Sequence, residues 1–97
     1  MREEQAAKQL GRNLWLARRR AGYSQEELAA ICSLHRTEIG QLENGRRFPR
    51  VDTLIKLATA LEVGPDQLLR GVDWIPPAPA SAGGFAVQGV NGGGRAR

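Results

Sequence analysis

The sequence predicts an all-α protein, a compact bundle of five short helices followed by a disordered C-terminal tail. Apolar residues recur at helical spacing in each segment before about residue 71, and each segment is bounded by a cap or stop signal. No stretch reads as a strand by alternating apolar and polar residues. Beyond Gly71 the composition shifts abruptly to Pro, Gly and small residues.

In the first helix, from Ala6 to Ala21, the stripe is Ala7, Leu10, Leu14, Ala17 and Ala21, with Gly22 placed for a left-handed cap. Trp15 and Leu16 flank the stripe and extend its packing. Ser24 and Glu27 have capping-box spacing, so a second helix starts at about Gln25 and turns Leu28, Ala29 and Cys32 inward. A third helix, about His35 to Glu43, buries Ile39 and Leu42 behind Leu34 and stops at Asn44-Gly45. The segment Arg46 to Arg50, with Pro49, is a basic loop. Val51, Leu54, Leu57, Ala58 and Leu61 then describe an amphipathic fourth helix. Pro65 fits the first position of a fifth, where its missing N–H is no loss, with Asp66 near the positive dipole end and Leu68 and Leu69 facing in.

The 97 residues leave room for one domain, expected over residues 1–71, with residues 72–97 as a flexible tail. The tail carries Pro76, Pro77 and Pro79 and then glycines 83, 84, 89, 92, 93 and 94, too little apolar surface to offset its ordering entropy. No Gly-Lys-Ser/Thr follows these glycines, so they form no phosphate-binding loop. A core this small contributes only a few kcal/mol, and such domains commonly add a disulfide, a metal or a partner subunit. One cysteine, Cys32, and one histidine, His35, exclude an internal disulfide and a multi-ligand zinc site, which leaves self-association. Cys32 reads as a small core residue, since a redox role needs exposure and a lowered pKa.

Fourteen basic residues against ten acidic give a net charge of +4. The excess is clustered, in Arg18, Arg19 and Arg20 and again in Arg46, Arg47 and Arg50. Such clusters suit a polyanion, whose neutralised phosphates release counterions, or they form a solvated face. No apolar run approaches the roughly eighteen residues of a membrane span, and Met1 to Lys8 lacks a signal-peptide core, so a cytoplasmic protein without membrane contact is expected. With a single His, no nucleophile beside a base and no phosphate loop, an enzyme is not expected, nor is any cofactor.

The second and third helices are joined by a turn of about three residues, which lets the third project from the domain. Its outward face carries Arg36, Thr37, Gly40, Gln41 and Asn44, with no acidic group. The stretch Ser24-Gln25-Glu26-Glu27-Leu28-Ala29 through Ile39-Gly40-Gln41-Leu42-Glu43-Asn44-Gly45, then Leu54 to Ala58 and Leu61, resembles the Cro/repressor-type, or xenobiotic-response-element-like, helix-turn-helix regulators. The likeness covers about residues 8–71 and combines a cap, a small residue, a turn and two hydrophobic periods at fixed spacing.

That resemblance implies the phage-repressor DNA-binding domain fold, with a helix-turn-helix at about residues 25–44 and a recognition helix at about 35–43 in the major groove of double-stranded DNA. It implies base reading by His35, Arg36, Thr37 and Gln41, and phosphate contacts by Ser24, Gln25, Asn44, Arg46, Arg47 and Arg50. Arg suits guanine O6 and N7, Gln suits both edges of adenine, and a Thr methyl suits the thymine methyl. His35 equally suits a solvated helix start. The same likeness pairs Arg18 with Glu43; the run Arg18 to Arg20 then reads as one paired and two solvated residues rather than as three phosphate contacts. Two residues depart from the family pattern. Ser33 replaces a glycine in a left-handed turn, at a cost on the order of 1 kcal/mol if that backbone is kept. Gly40 costs about as much inside a helix, and it either admits the DNA backbone or has no role.

Trp74 and Ile75 follow the fifth helix and either fold back on the monomer or cover a partner. A homodimer through Pro65, Leu69, Trp74 and Ile75 is expected, with residues 72–75 at its interface. It would set two reading helices roughly 34 Å apart on a pseudo-palindromic operator. The competing expectation is an antitoxin or adaptor that holds a protein partner through the tail or the fifth helix, with DNA binding secondary; the tail's evident apolar anchors are Phe85 and Val87.

Overall fold

A computed structural model describes residues 3–76 and 83–87. The order is α1 (Glu3–Ala21), α2 (Gln25–Cys32), α3 (Arg36–Glu43), α4 (Val51–Leu61), α5 (Pro65–Leu68), β1 (Val72–Ile75) and β2 (Gly84–Val87). The five-helix bundle is as the sequence predicts, with differences at its edges. α1 starts at Glu3 rather than Ala6, with Glu3 and Glu4 at the positive end of its dipole. α3 starts at Arg36; His35 is its N-cap, and the His35 N–H donates to Glu38 Oε1 at 3.2 Å.

α5 is a single turn with Pro65 at its start, and Leu69 already belongs to its cap. Leu68 is buried, whereas Leu69 is 38% exposed, which corrects the expectation that both face in. Neighbouring helical residues point about 100° apart, and one turn offers a single inward position.

The core joins Leu14 of α1, Leu28, Ala29 and Cys32 of α2, Ile39 and Leu42 of α3, Leu57, Ala58 and Leu61 of α4, and Leu68 of α5. Fully burying each leucine or isoleucine contributes about 1.5–3 kcal/mol. Local signals set the angle between α2 and α3. The Glu27 N–H donates to Ser24 Oγ at 3.0 Å and the Ser24 N–H to Glu27 Oε1 at 2.8 Å, a complete capping box. At the other end Ser33 adopts the left-handed conformation, φ 57° and ψ 44°. The Ser33 and Leu34 N–H groups then close on the carbonyls of Ala30 and Ala29. The glycine-type backbone is therefore kept although the residue is serine.

α1 crosses the end of α3 at close range. A Cβ on Gly11 would overlap the Leu42 carbonyl and lie 2.6 Å from the Glu43 oxygen, and one on Gly45 would lie 2.6 Å from Lys8 Cα. Glycine at both points lets the two backbones meet.

β1 and β2 pair antiparallel, Val72 opposite Val87, Asp73 opposite Ala86, Trp74 opposite Phe85 and Ile75 opposite Gly84. These strands lie in the segment expected to be a flexible tail, and no strand pattern announced them. Four residues per strand are too few to display alternation, and a two-stranded hairpin is marginal until something packs on it. Here β2 lies along α1, and the Phe85 ring packs between Trp74 and Phe48. The rest of the expected tail, residues 77–82 and 88–97, lies outside the described residues, as do the side chains of Ile75 and Val87. Among the described residues no helix is long and apolar enough to cross a membrane.

Candidate nucleic-acid interface

α3 is held from behind by an ion pair. Arg18 Nε donates to Glu43 Oε2 at 2.6 Å and Arg18 Nη2 to Glu43 Oε1 at 3.0 Å. Arg18 Nη1 donates to the Tyr23 carbonyl at 2.9 Å, and Gln25 Nε2 to Glu43 Oε1 at 3.0 Å. The two charged side chains are only 10% and 4% exposed. The fork geometry and the added donors and acceptors offset their desolvation. The other members of the arginine run behave differently: Arg19 lies over the Trp15 ring at 5.2 Å, and Arg20 is exposed.

With Ile39 and Leu42 buried, α3 turns its other face outward. His35, Arg36, Thr37 and Asn44 are exposed, and Gly40 and Gln41 are half-buried. Among the described residues, the side chains of Arg36, Thr37 and Gln41 make no hydrogen bond or ion pair. A row of donors aimed away from the core and committed to nothing inside the fold is free for an outside acceptor. Gly40 lies within this row, and a Cβ there would meet only Gln25 Oε1, at 3.9 Å.

Of the residues assigned to phosphate, Ser24 is exposed, and its hydroxyl accepts from the Glu27 N–H while keeping its own hydrogen to donate. Gln25 turns inward to Glu43, which leaves one amide hydrogen and its backbone N–H for a ligand. Arg47 Nη2 lies 3.7 Å from Glu38 Oε2, and Arg50 Nε lies 3.3 Å from Asp52 Oδ1. Arg47, Arg50 and Asp52 are exposed and Glu38 is half-buried; pairs open to solvent contribute at most about 1 kcal/mol, so a phosphate can replace either carboxylate. Arg46 has no carboxylate partner among the described residues. Arg46 and Arg47 share a small open cleft with Glu3, Glu4, Ala7 and Phe48.

Sequence reasoning missed Gly11, the inward bond of Gln25 and the Phe48 to Phe85 contact. Gly11 was detectable, because it falls beside Leu10 and Leu14 on the inner face of α1, where a glycine costs helix stability without an evident return. The other two are tertiary meetings with no local signature. Cys32 lies in the core, and its thiol donates to the Lys56 carbonyl at 3.6 Å. Burial pushes the thiol pKa up, against a smaller opposing effect of the Lys56 charge. Of the expected dimer residues, Pro65 and Leu69 are exposed and Trp74 is 49% exposed.

A capped helix, a three-residue left-handed turn and a projecting polar helix with its back locked to the scaffold define a helix-turn-helix domain. The family model described as Helix-turn-helix, HTH_3, matches residues 16–68, and the chain belongs to this family of sequence-specific DNA-binding transcriptional regulators of the Cro/repressor type. Its fold is that of a DNA-binding regulator and not of a catalytic domain. The chain is 44% identical over 50 residues to control protein C.BamHI of Bacillus amyloliquefaciens, a match covering 52% of this chain and 62% of that one. It therefore spans about three fifths of that relative's length. The restriction-modification controller protein C.AhdI of Aeromonas hydrophila superposes with a TM-score of 0.62 at 37% identity, over 64% of this chain and 94% of that one. The P22 c2 repressor, in complex with a synthetic operator, superposes with a TM-score of 0.61 at 27% identity over the same 64% and 94%.

Proposed function

We propose that α3 enters the major groove of operator DNA and that the chain acts there as a homodimer on a pseudo-palindromic site, regulating transcription in the cytoplasm. The observation that carries this reading is the outward row of α3, where Arg36, Thr37 and Gln41 are without partners among the described residues. Arg36 donates to a guanine, Gln41 pairs with an adenine, Thr37 packs on a thymine methyl, and His35 reaches the groove edge at the helix start. Ser24, Gln25, Asn44, Arg46, Arg47 and Arg50 hold phosphates and set register without reading sequence. The likeness to the P22 c2 repressor, which is seen on a synthetic operator, supports the same docking.

Dimerisation uses the exposed Pro65, Leu69 and Trp74, with Ile75 beside them in β1. The likeness to a restriction-modification controller protein favours a small stand-alone regulator. The adaptor or antitoxin alternative uses the tail as a handle, and it is weakened because Phe85, one of that handle's anchors, is packed against Phe48 and Trp74.

Selection of bound fragments from a random duplex pool at fixed salt tests the reading. Arg36→Ala should weaken the recovered site by about 1–3 kcal/mol and relax preference at one base pair. Arg46→Ala should weaken all duplexes alike and lower the salt slope by about one. Parental behaviour of both variants refutes the docking, and a chain that sediments only as monomer at micromolar concentration refutes the dimer.

A further inference from the structure

We infer that Phe85, on the second strand of the C-terminal hairpin, positions the basic loop between α3 and α4 for phosphate binding; this rests on the reading of that loop given above. The loop runs from Gly45 to Arg50 without regular structure and carries Arg46, Arg47 and Arg50. Phe48 stands among these arginines, is half-buried, and is absent from the main core. Its ring meets Phe85 at a centroid distance of 5.1 Å, tilted by 46°. Phe85 in turn meets Trp74 edge-on at 5.3 Å and 75°, and the hairpin register sets these two opposite each other. With β2 lying along α1, a chain of rings runs from the helical scaffold side of the hairpin into the middle of the arginine cluster.

Among the described residues the other ion pairs on the loop side chains are Arg47 with the half-buried Glu38, at 3.7 Å, and the exposed Arg50 with Asp52, and both are given up when phosphate arrives. The aromatic contact is not given up. It holds the backbone that carries the arginines in place before and after binding, which removes part of the ordering cost of the complex. Phe85 is thus a positioning residue that acts through Phe48, and the hairpin is part of the DNA-binding machinery.

The test compares the full-length parent with Phe85→Ala, Phe48→Ala, the double variant and Phe85→Tyr on a duplex recovered by the parent, across a salt series. Phe85→Ala should bind about three- to tenfold more weakly and lower the salt slope by about one, with base preference unchanged. In the Phe48→Ala background the second substitution should cost little more, because both remove one contact. Phe85→Tyr should restore binding. Parental affinity and slope in Phe85→Ala, additive losses in the double variant, or a relaxed base preference each overturn the inference. Arg46→Ala, run alongside, separates the failures. If it too leaves the slope unchanged, the interface reading falls with the inference; if it lowers the slope and Phe85→Ala does not, the inference falls alone.

Discussion

Arg18, in the last turn of α1, and Glu43, the last residue of α3, meet in a forked ion pair of 2.6 and 3.0 Å that is almost closed to solvent. The pair joins the longest helix to the end of the projecting one, so it fixes the direction in which α3 points. Glu43→Ala leaves the Arg18 guanidinium buried with only the Tyr23 carbonyl, and should destabilise the domain by about 3–5 kcal/mol. Replacing both residues by methionine removes both charges and should recover much of that loss. Urea unfolding of the two variants checks the order, and equal stabilities would show that the pair is worth no more than its packing.

Gly11 should tolerate no side chain. A Cβ there would be driven into the Leu42 and Glu43 carbonyls, and backbone cannot yield as a flexible side chain can. Gly11→Ala adds helix propensity of about 1 kcal/mol yet forces α1 away from α3, at a cost of about 3 kcal/mol or more. The midpoint of thermal unfolding should fall. A rise would mean that the helices separate freely, and the close crossing would have no role in holding α3.

The left-handed residues Ser33 and Glu62, both at φ 57°, cap α2 and α4 in the conformation that glycine adopts without strain. Ser33→Gly should therefore stabilise the fold by about 0.5–1 kcal/mol, the relief of strain less the extra freedom that glycine gives the unfolded chain. Ser33→Ala should not. Chemical denaturation that ranks alanine with or above glycine would refute this account of the turn.

The helices were legible because their ends are written locally: Ser24 with Glu27, Asn44 with Gly45, and Pro65 at the start of α5. The pairing of Arg18 with Glu43 came from family resemblance, since no periodicity links residues on separate helices. What escaped were features created only when distant segments meet. Gln25 turned toward Glu43 because a buried carboxylate there still had an oxygen to share. The hairpin formed around Phe85 because Phe48, far off in the chain, offered a ring to pack on. Leu69 pointed out because α5 stopped after one turn, and helix length in a segment that short is decided by packing.

Cys32 should resist thiol reagents in the folded protein. Its burial and its bond to the Lys56 carbonyl keep the thiol protonated, and desolvation raises its pKa above the ordinary 9.0. For an acid whose folded pKa is raised, the contribution to stability is whole below the ordinary value and is lost as pH climbs through the folded one. Reaction with an aromatic disulfide at neutral pH should be slow and become fast on adding denaturant. Stability should begin to fall only above about pH 9 on this account. Rapid labelling of the native chain would place Cys32 outside the core.

Gly40 separates folding from binding within one residue. Inside a helix it costs about 1 kcal/mol relative to alanine, and nothing in the fold asks for it, since a Cβ there would come no nearer than 3.9 Å to Gln25 Oε1. Gly40→Ala should therefore raise stability by about 0.5–1 kcal/mol and the thermal midpoint by several degrees. The added methyl would stand in the outward row among Arg36, Thr37 and Gln41. If that row lies against DNA, the methyl holds the helix off the duplex and affinity falls as stability rises. Calorimetry of the free chain and a binding titration on one preparation measure both. Stability and affinity moving in opposite directions would mark Gly40 as a point of contact, whereas a stabilised chain with unchanged affinity would place the DNA elsewhere on α3.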